Sequence, residues 1–98
     1  MKKTKNKQEK PKWFKGVWYY EGDTVENPFT GEPAKLTGPE LSMYDFIKGA
    51  EYTIAVNYEK TGDFFVEDPA IVKLTNDMRK GLDWFREANA RAYMILLD

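Results

Sequence analysis

The chain has 98 residues, of which 42% are hydrophobic and 15% aromatic, enough for one small domain with its own core. It lacks cysteine and histidine and has Ser42 as its single serine, which excludes disulfides, thiolate nucleophiles and a serine triad and favours a non-catalytic protein without a cofactor. The net charge of −1 hides an asymmetry: residues 1–15 carry seven lysines and one glutamate, net +6, whereas the rest carries eight basic and fifteen acidic residues, net −7.

The N-terminal end of the chain is polar and basic. Residues 1–12 are rich in lysine, asparagine and glutamine and contain no apolar side chain after Met1. Such a segment cannot bury enough apolar surface to offset the entropy lost on ordering. We therefore predict a disordered lysine-rich tail over residues 1–12, followed by a single domain over residues 13–98.

An aromatic segment opens the predicted domain. The second half of residues 13–20 is typical of a β-strand, and residues 21–23 form a natural reversal. Residues 24–26 are predicted to return as a short second strand. Residues 27–38 contain several turn-forming pairs with proline or glycine, which predict a loop.

A capping box marks the start of the first predicted helix. Thr37 is followed three residues later by Glu40, and Pro39 lies in the first turn, where its missing N–H costs little. The helix is predicted to continue to about residue 60, where Gly62 provides a stop. One apolar stripe follows its length: Met43, Ile47, Ala50, Ile54 and Tyr58. The opposite face is expected to be solvated, with Tyr52 and Val56 projecting from its polar residues: Ser42, Asp45, Lys48, Gly49 and Thr53.

A second helix is predicted from Asp68 as its N-cap and Pro69 as its first residue. Its apolar stripe has helical spacing: Ile71, Leu74, Met78, Leu82 and Phe85. Asn89 would fall on this stripe, so we predict a break there. The remaining residues, 90–98, are almost wholly apolar, which is unusual for a chain terminus.

These elements predict an α+β fold. A short N-terminal β-hairpin packs on two antiparallel amphipathic helices, and an apolar C-terminal segment completes the domain. No segment approaches the roughly 18 apolar residues that a membrane-spanning helix needs, and no secretory signal is recognisable. We therefore expect a cytoplasmic location and no membrane partner.

The leading functional hypothesis is a protein-interaction or accessory protein that self-associates or docks on another protein. Its candidate contacts are apolar and aromatic residues of the helices and the C-terminal segment: Tyr52, Val56, Trp84, Tyr93, Ile95 and Leu96. In the alternative interpretation, Trp84 covers the hairpin or the C-terminal segment, and residues 93–97 complete the core. We predict no small-molecule ligand.

The second hypothesis is a nucleic-acid-binding accessory protein, in which lysines contact phosphates and neighbouring aromatic rings stack on bases. Its candidate residues lie at the N-terminal end: Lys2, Lys3, Lys5, Lys7, Lys10, Lys12, Trp13, Phe14, Lys15 and Trp18. The alternative is a tail that only aids solubility and aromatic rings that pack internally. Four carboxylates around the helix connection lack the spacing of a calcium loop, so no metal site is predicted: Glu59, Asp63, Glu67 and Asp68.

Two stretches of the chain carry a resemblance to known proteins. LTGPELSMYDFIKGAE (residues 36–51) and GLDWFREANARAYMILLD (residues 81–98) resemble small proteins of tailed bacteriophages that infect marine bacteria and cyanobacteria. That family has no assigned activity, so no functional residue can be carried over from it. The resemblance implies a phage-encoded accessory or virion-associated protein that acts in the host cytoplasm.

Overall fold

The computed structural model describes residues 8–61 and 68–97, and this part of the chain forms two strands followed by three helices. The elements are, in chain order, β1 (Asp23–Glu26), β2 (Pro33–Leu36), α1 (Gly38–Thr61), α2 (Pro69–Ala88) and α3 (Ala90–Leu96). Strands β1 and β2 pair as an antiparallel hairpin. The predicted α+β class is therefore confirmed.

The hairpin lies later in the chain than the sequence predicted. Residues 24–26, expected as its second strand, belong to β1, and β2 lies inside the predicted loop, so that Val25 is opposite Ala34. Residues 17–20, predicted as the first strand, are irregular. This part of the prediction was wrong because the turn-forming residues between 27 and 33 connect two strands rather than one strand and a helix.

Asn27 organises the turn between the strands. Its side-chain oxygen accepts hydrogen bonds from the N–H groups of Phe29 at 2.7 Å and Thr30 at 3.0 Å. Gly31 has a φ of 78°, in the left-handed region that glycine adopts without strain. The Asn27 side-chain amide also donates to the carbonyl oxygen of Ile95 at 2.7 Å, which ties the turn to α3.

The predicted capping box at the start of α1 is confirmed. The Glu40 N–H donates to Thr37 Oγ1 at 3.2 Å, and the Thr37 N–H donates to Glu40 Oε1 at 3.0 Å. The Glu40 carboxylate is 4% exposed and accepts two further bonds, from Asn89 Nδ2 at 3.1 Å and Gln8 Nε2 at 2.8 Å. Gln8 belongs to the predicted tail, so the ordered contacts of the fold begin before residue 13.

The segment before β1 crosses the start of α1 at close range. The Tyr19 N–H donates to Ser42 Oγ at 2.7 Å, and the Ser42 hydroxyl donates to the Gly38 carbonyl oxygen at 2.8 Å. Ser42 is buried, which corrects its assignment to the solvated face of the helix. A side chain on Gly22 would overlap the Leu36 carbonyl oxygen, so this crossing requires glycine.

The two long helices pack through apolar residues near one end of the pair. Met43 and Ile47 on α1 and Phe85 on α2 have no exposed surface. A Cβ on Gly81 would lie 3.1 Å from Met43 Sδ and 3.3 Å from Ile47 Cγ1, so the missing side chain allows a close approach of the helices. The predicted antiparallel pair therefore has its tightest contact in the first half of α1 and the second half of α2.

The predicted helix boundaries around α2 are confirmed. Asp68 caps its start, where Asp68 Oδ1 accepts from the Ala70 N–H at 2.9 Å. Asn89 ends it, with its N–H bonded to the Phe85 carbonyl oxygen at 2.9 Å. The Asn89 side chain then accepts from the Ala92 N–H at 3.0 Å and so caps α3 as well.

Replacement of Gly22 by alanine should lower the free energy of unfolding by about 2 kcal/mol or more, because the added methyl group forces the two backbones apart. Gly49 is the matched control, since it lies inside α1 with open space around it. Gly49→Ala should raise the free energy of unfolding by about 0.5–1 kcal/mol through helix propensity. Urea unfolding followed by circular dichroism measures both, and a neutral Gly22→Ala would contradict the close crossing.

Replacement of Glu40 by alanine should lower the free energy of unfolding by about 1–3 kcal/mol, because three hydrogen-bond donors lose a charged acceptor. Glu40→Gln should lower the free energy of unfolding by less, because the amide oxygen can still accept hydrogen bonds from some of these donors. The control is Glu59→Ala on the exposed surface of α1, which should stay within about 0.5 kcal/mol of wild type. Equal losses for Glu40→Ala and Glu59→Ala in urea unfolding would show that the carboxylate does not hold the fold together.

Candidate functional site

Helices α1 and α2 extend beyond the core that joins them. Among the described residues of α1, the last buried one is Ala50, and the buried residues of α2 are Gly81 and Phe85. Because the helices are antiparallel, these residues occupy one end of the pair, where β2 and α3 also pack. Towards the other end, the described side chains of both helices are half-buried or exposed.

This second part of the helix pair contains a groove of about 530 Å³, which we call the α1/α2 groove. Its half-buried lining is mainly aliphatic: Ile54, Asn57, Ile71, Thr75 and Met78. Its margins are exposed residues of both helices: Glu51, Ala55, Tyr58, Val72, Asn76 and Arg79. A groove of this kind between two helices is suited to bind apolar side chains of another helix or peptide.

The end of the α1/α2 groove nearer the core is charged. Glu51 is the first lining residue on α1 and Arg79 the last on α2, so the antiparallel arrangement places both at this end. Lys48 Nζ lies 3.1 Å from Glu51 Oε1, with the two side chains 42% and 47% exposed. An ion pair so exposed to water contributes little to stability, so Glu51 keeps its capacity to pair with another cation.

Two predicted interface residues of α1 lie outside the groove. Tyr52 is 73% exposed and Val56 is half-buried, and neither side chain lines the groove. Val72, which was not selected from the sequence, is 46% exposed at the α2 margin of the groove. Its exposed side chain enlarges the apolar surface that a docking partner would cover.

The other four predicted interface residues take part in internal packing. Trp84 is half-buried, with its ring 5.8 Å from that of Trp18 in an edge-to-face arrangement. Leu96 is buried on α3, and Tyr93 and Ile95 pack against the same core. Tyr93, Ile95 and Leu96 thus pack as in the alternative interpretation, because the break at Asn89 turns α3 back onto β2. Trp84 instead contacts Trp18, which lies before β1.

The aromatic residues proposed for base stacking are also engaged internally. The buried Phe14 ring lies 5.2 Å from Trp18 and 5.5 Å from Phe46. Trp13 is half-buried, and Lys80 Nζ lies 5.9 Å from its ring centroid. These rings therefore take part in internal packing. Three of the candidate lysines are exposed, Lys10, Lys12 and Lys15, and the others lie outside the described residues: Lys2, Lys3, Lys5 and Lys7.

Groups suited to catalysis or metal binding are sparse in the described part of the chain. No three acidic residues there are placed to hold a metal ion together, and two of the four carboxylates considered above, Asp63 and Glu67, lie outside it. The hydrogen bond from Tyr19 Oη to Asp45 Oδ2, at 3.1 Å, and the charge of that carboxylate raise the pKa of the Tyr19 phenol. This shift keeps the phenol protonated further above neutral pH, away from the range that suits a general base.

The sequence analysis missed the groove because it assigned whole apolar stripes to the core. Ile54 and Tyr58 were read as core on the first helix, and Ile71 and Met78 on the second. One signal could have revealed the groove. Both stripes continue for about four helical turns, whereas the predicted hairpin and C-terminal segment are too short to cover two faces of that length.

No helix in residues 8–61 or 68–97 is long and apolar enough to cross a membrane. Comparison with protein-family models, with curated proteins and with solved structures finds no match to this chain. The features of the described residues that bear on function are the α1/α2 groove and the distribution of charge around it.

Proposed function

We propose that this chain is a non-catalytic interaction protein that binds a protein surface, its own or another's, through the α1/α2 groove. The observation that carries the proposal is the half-buried aliphatic lining formed by Ile54, Ile71 and Met78 between two helices. An aliphatic surface of this kind gains free energy when a partner removes it from water. A helix or peptide with apolar residues at helical spacing has the matching shape.

The composition supports a binding role over a catalytic one. The chain has no cysteine and no histidine, the side chains that most often act as nucleophile or proton shuttle near neutral pH. Several polar side chains at the groove can orient a partner by hydrogen bonds and charge, including Glu51, Asn57, Thr75, Asn76 and Arg79. The resemblance of residues 36–51 and 81–98 to phage proteins leads us to propose an accessory or virion-associated role in a host cell.

Site-specific photocrosslinking tests the groove as a docking surface. A photoreactive amino acid at position 72, on the groove margin, should form adducts with the bound protein chain, because a partner covers this position. The matched control is position 17, where Val17 is 68% exposed outside the groove. If the adduct contains a different protein, excess unlabelled wild-type chain should suppress it at least fivefold, and excess Val72→Asp chain should not. If the adduct contains a second copy, the unlabelled wild-type chain should instead be incorporated into it, and the Val72→Asp chain should be incorporated much less. Similar adducts from positions 72 and 17 would contradict the proposal.

A second candidate function is nucleic-acid contact through the lysine-rich N-terminal end. The observation in its favour is that Lys10, Lys12 and Lys15 are exposed, while Lys80 of α2 adds a cation above the Trp13 ring. Because the neighbouring rings are packed, such contact would use phosphates rather than stacked bases. We therefore propose this role as salt-sensitive and independent of base sequence.

Fluorescence anisotropy with labelled single- and double-stranded DNA and RNA tests this second candidate. Changing the seven lysines of residues 1–15 to glutamine should weaken binding at least tenfold at low salt, because counterion release is lost. The same seven positions changed to arginine are the matched control and should keep the affinity. Gln8 stays in place, so its bond to Glu40 is retained. Unchanged binding after removal of the seven charges would reject the N-terminal lysines as a nucleic-acid contact.

A further inference from the structure

We infer that the partner of the α1/α2 groove is a second copy of this chain, so that two helix pairs close into a four-helix bundle. The inference rests on the proposed function and names the occupant of the same groove.

The direction of the helices allows two copies to meet with the two-fold axis either along or across the helices, because neighbouring helices are antiparallel in both arrangements. Each copy presents an antiparallel pair with an aliphatic seam between α1 and α2. If the two-fold axis runs along the helices, α1 of one copy lies on α2 of the other. Every neighbouring pair of helices is then antiparallel, which is the arrangement of up-and-down four-helix bundles. The same seam is buried in both copies, as a two-fold interface requires.

The charges at the groove favour this arrangement. Glu51 and Arg79 lie at the same end of the groove, one on each helix. With the axis along the helices, that end meets its own equivalent, and Glu51 faces the partner's Arg79 while Arg79 faces the partner's Glu51. With the axis across the helices, Glu51 instead approaches the opposite end of the partner's α1, where Glu59 follows Tyr58. Two opposite-charge contacts thus select the first arrangement over the second.

The exposed apolar residues at the margins support closure by a broad, flat partner. Tyr58 on α1 is 37% and Val72 on α2 46% exposed, at the margins of the groove. A short peptide in the groove would leave these two side chains in water. A second helix pair covers the groove and both margins together, which removes the largest apolar area from solvent.

Charge-reversal variants of the two groove residues test the inference. Wild-type chain should form a dimer in sedimentation velocity, with a dissociation constant that rises with ionic strength. Glu51→Arg and Arg79→Glu should each raise that constant at least tenfold, because each creates two like-charge contacts per dimer. An equimolar mixture of the two variants should recover the dimer, since each introduced charge then faces its opposite in the partner. Glu87→Arg, at an exposed position of α2 outside the groove, is the control and should dimerise like wild type.

The outcomes separate this inference from the proposed function. Circular dichroism should show that each variant is folded. Recovery of the dimer in the mixture would show the same independently. A wild-type chain that stays monomeric up to about millimolar concentration, or a mixture that remains monomeric, would overturn the dimer. If the chain is monomeric but position 72 still gives adducts with a different protein, the second copy is rejected and the docking function stands. If it is monomeric and position 72 gives no specific adduct, both are rejected.

Discussion

The buried carboxylate of Glu40 joins parts of the chain that are far apart in sequence. It accepts from the Thr37 N–H at the start of α1, from Asn89 at the junction of α2 and α3, and from Gln8 near the N-terminus. These donors are neutral, so the charge is stabilised by hydrogen bonds rather than by an opposite charge. A buried carboxylate without these bonds would be costly, so the bonds fix the position of each segment around it.

The tertiary contacts of the described residues are concentrated at one end of the helix pair, and these residues leave the other end incompletely covered. The hairpin, α3 and the N-terminal segment surround the part of α1 before Ala50. Within residues 8–61 and 68–97, the α1/α2 groove therefore follows from how the core is built. Free energy is gained when a partner buries its aliphatic lining.

The candidate site was only partly predictable from sequence. Tyr52 was selected because it departs from the apolar stripe of α1, and it is exposed outside the groove. Trp84 was selected because it lies off the apolar stripe of α2 with Arg86 nearby, and Leu96 because it belongs to the apolar C-terminal segment; both pack internally. Periodicity shows that a face is apolar, but it does not distinguish a face covered by the same chain from one left for a partner. That difference depends on the path of the covering segments.

The sequence by itself determined the α+β class and three local features: the capping box at Thr37, the cap at Asp68 and the break at Asn89. Each of the three local features depends on hydrogen bonds between residues at most four apart, so local chemistry is sufficient to specify it. Only the tertiary structure decided which strand pairs with β1, that Ser42 is buried, and which half of each apolar stripe lies inside. Those outcomes depend on contacts between distant segments. A hydroxyl can form its hydrogen bonds with any segment that the fold brings near it, and an aliphatic face can be buried by any such segment.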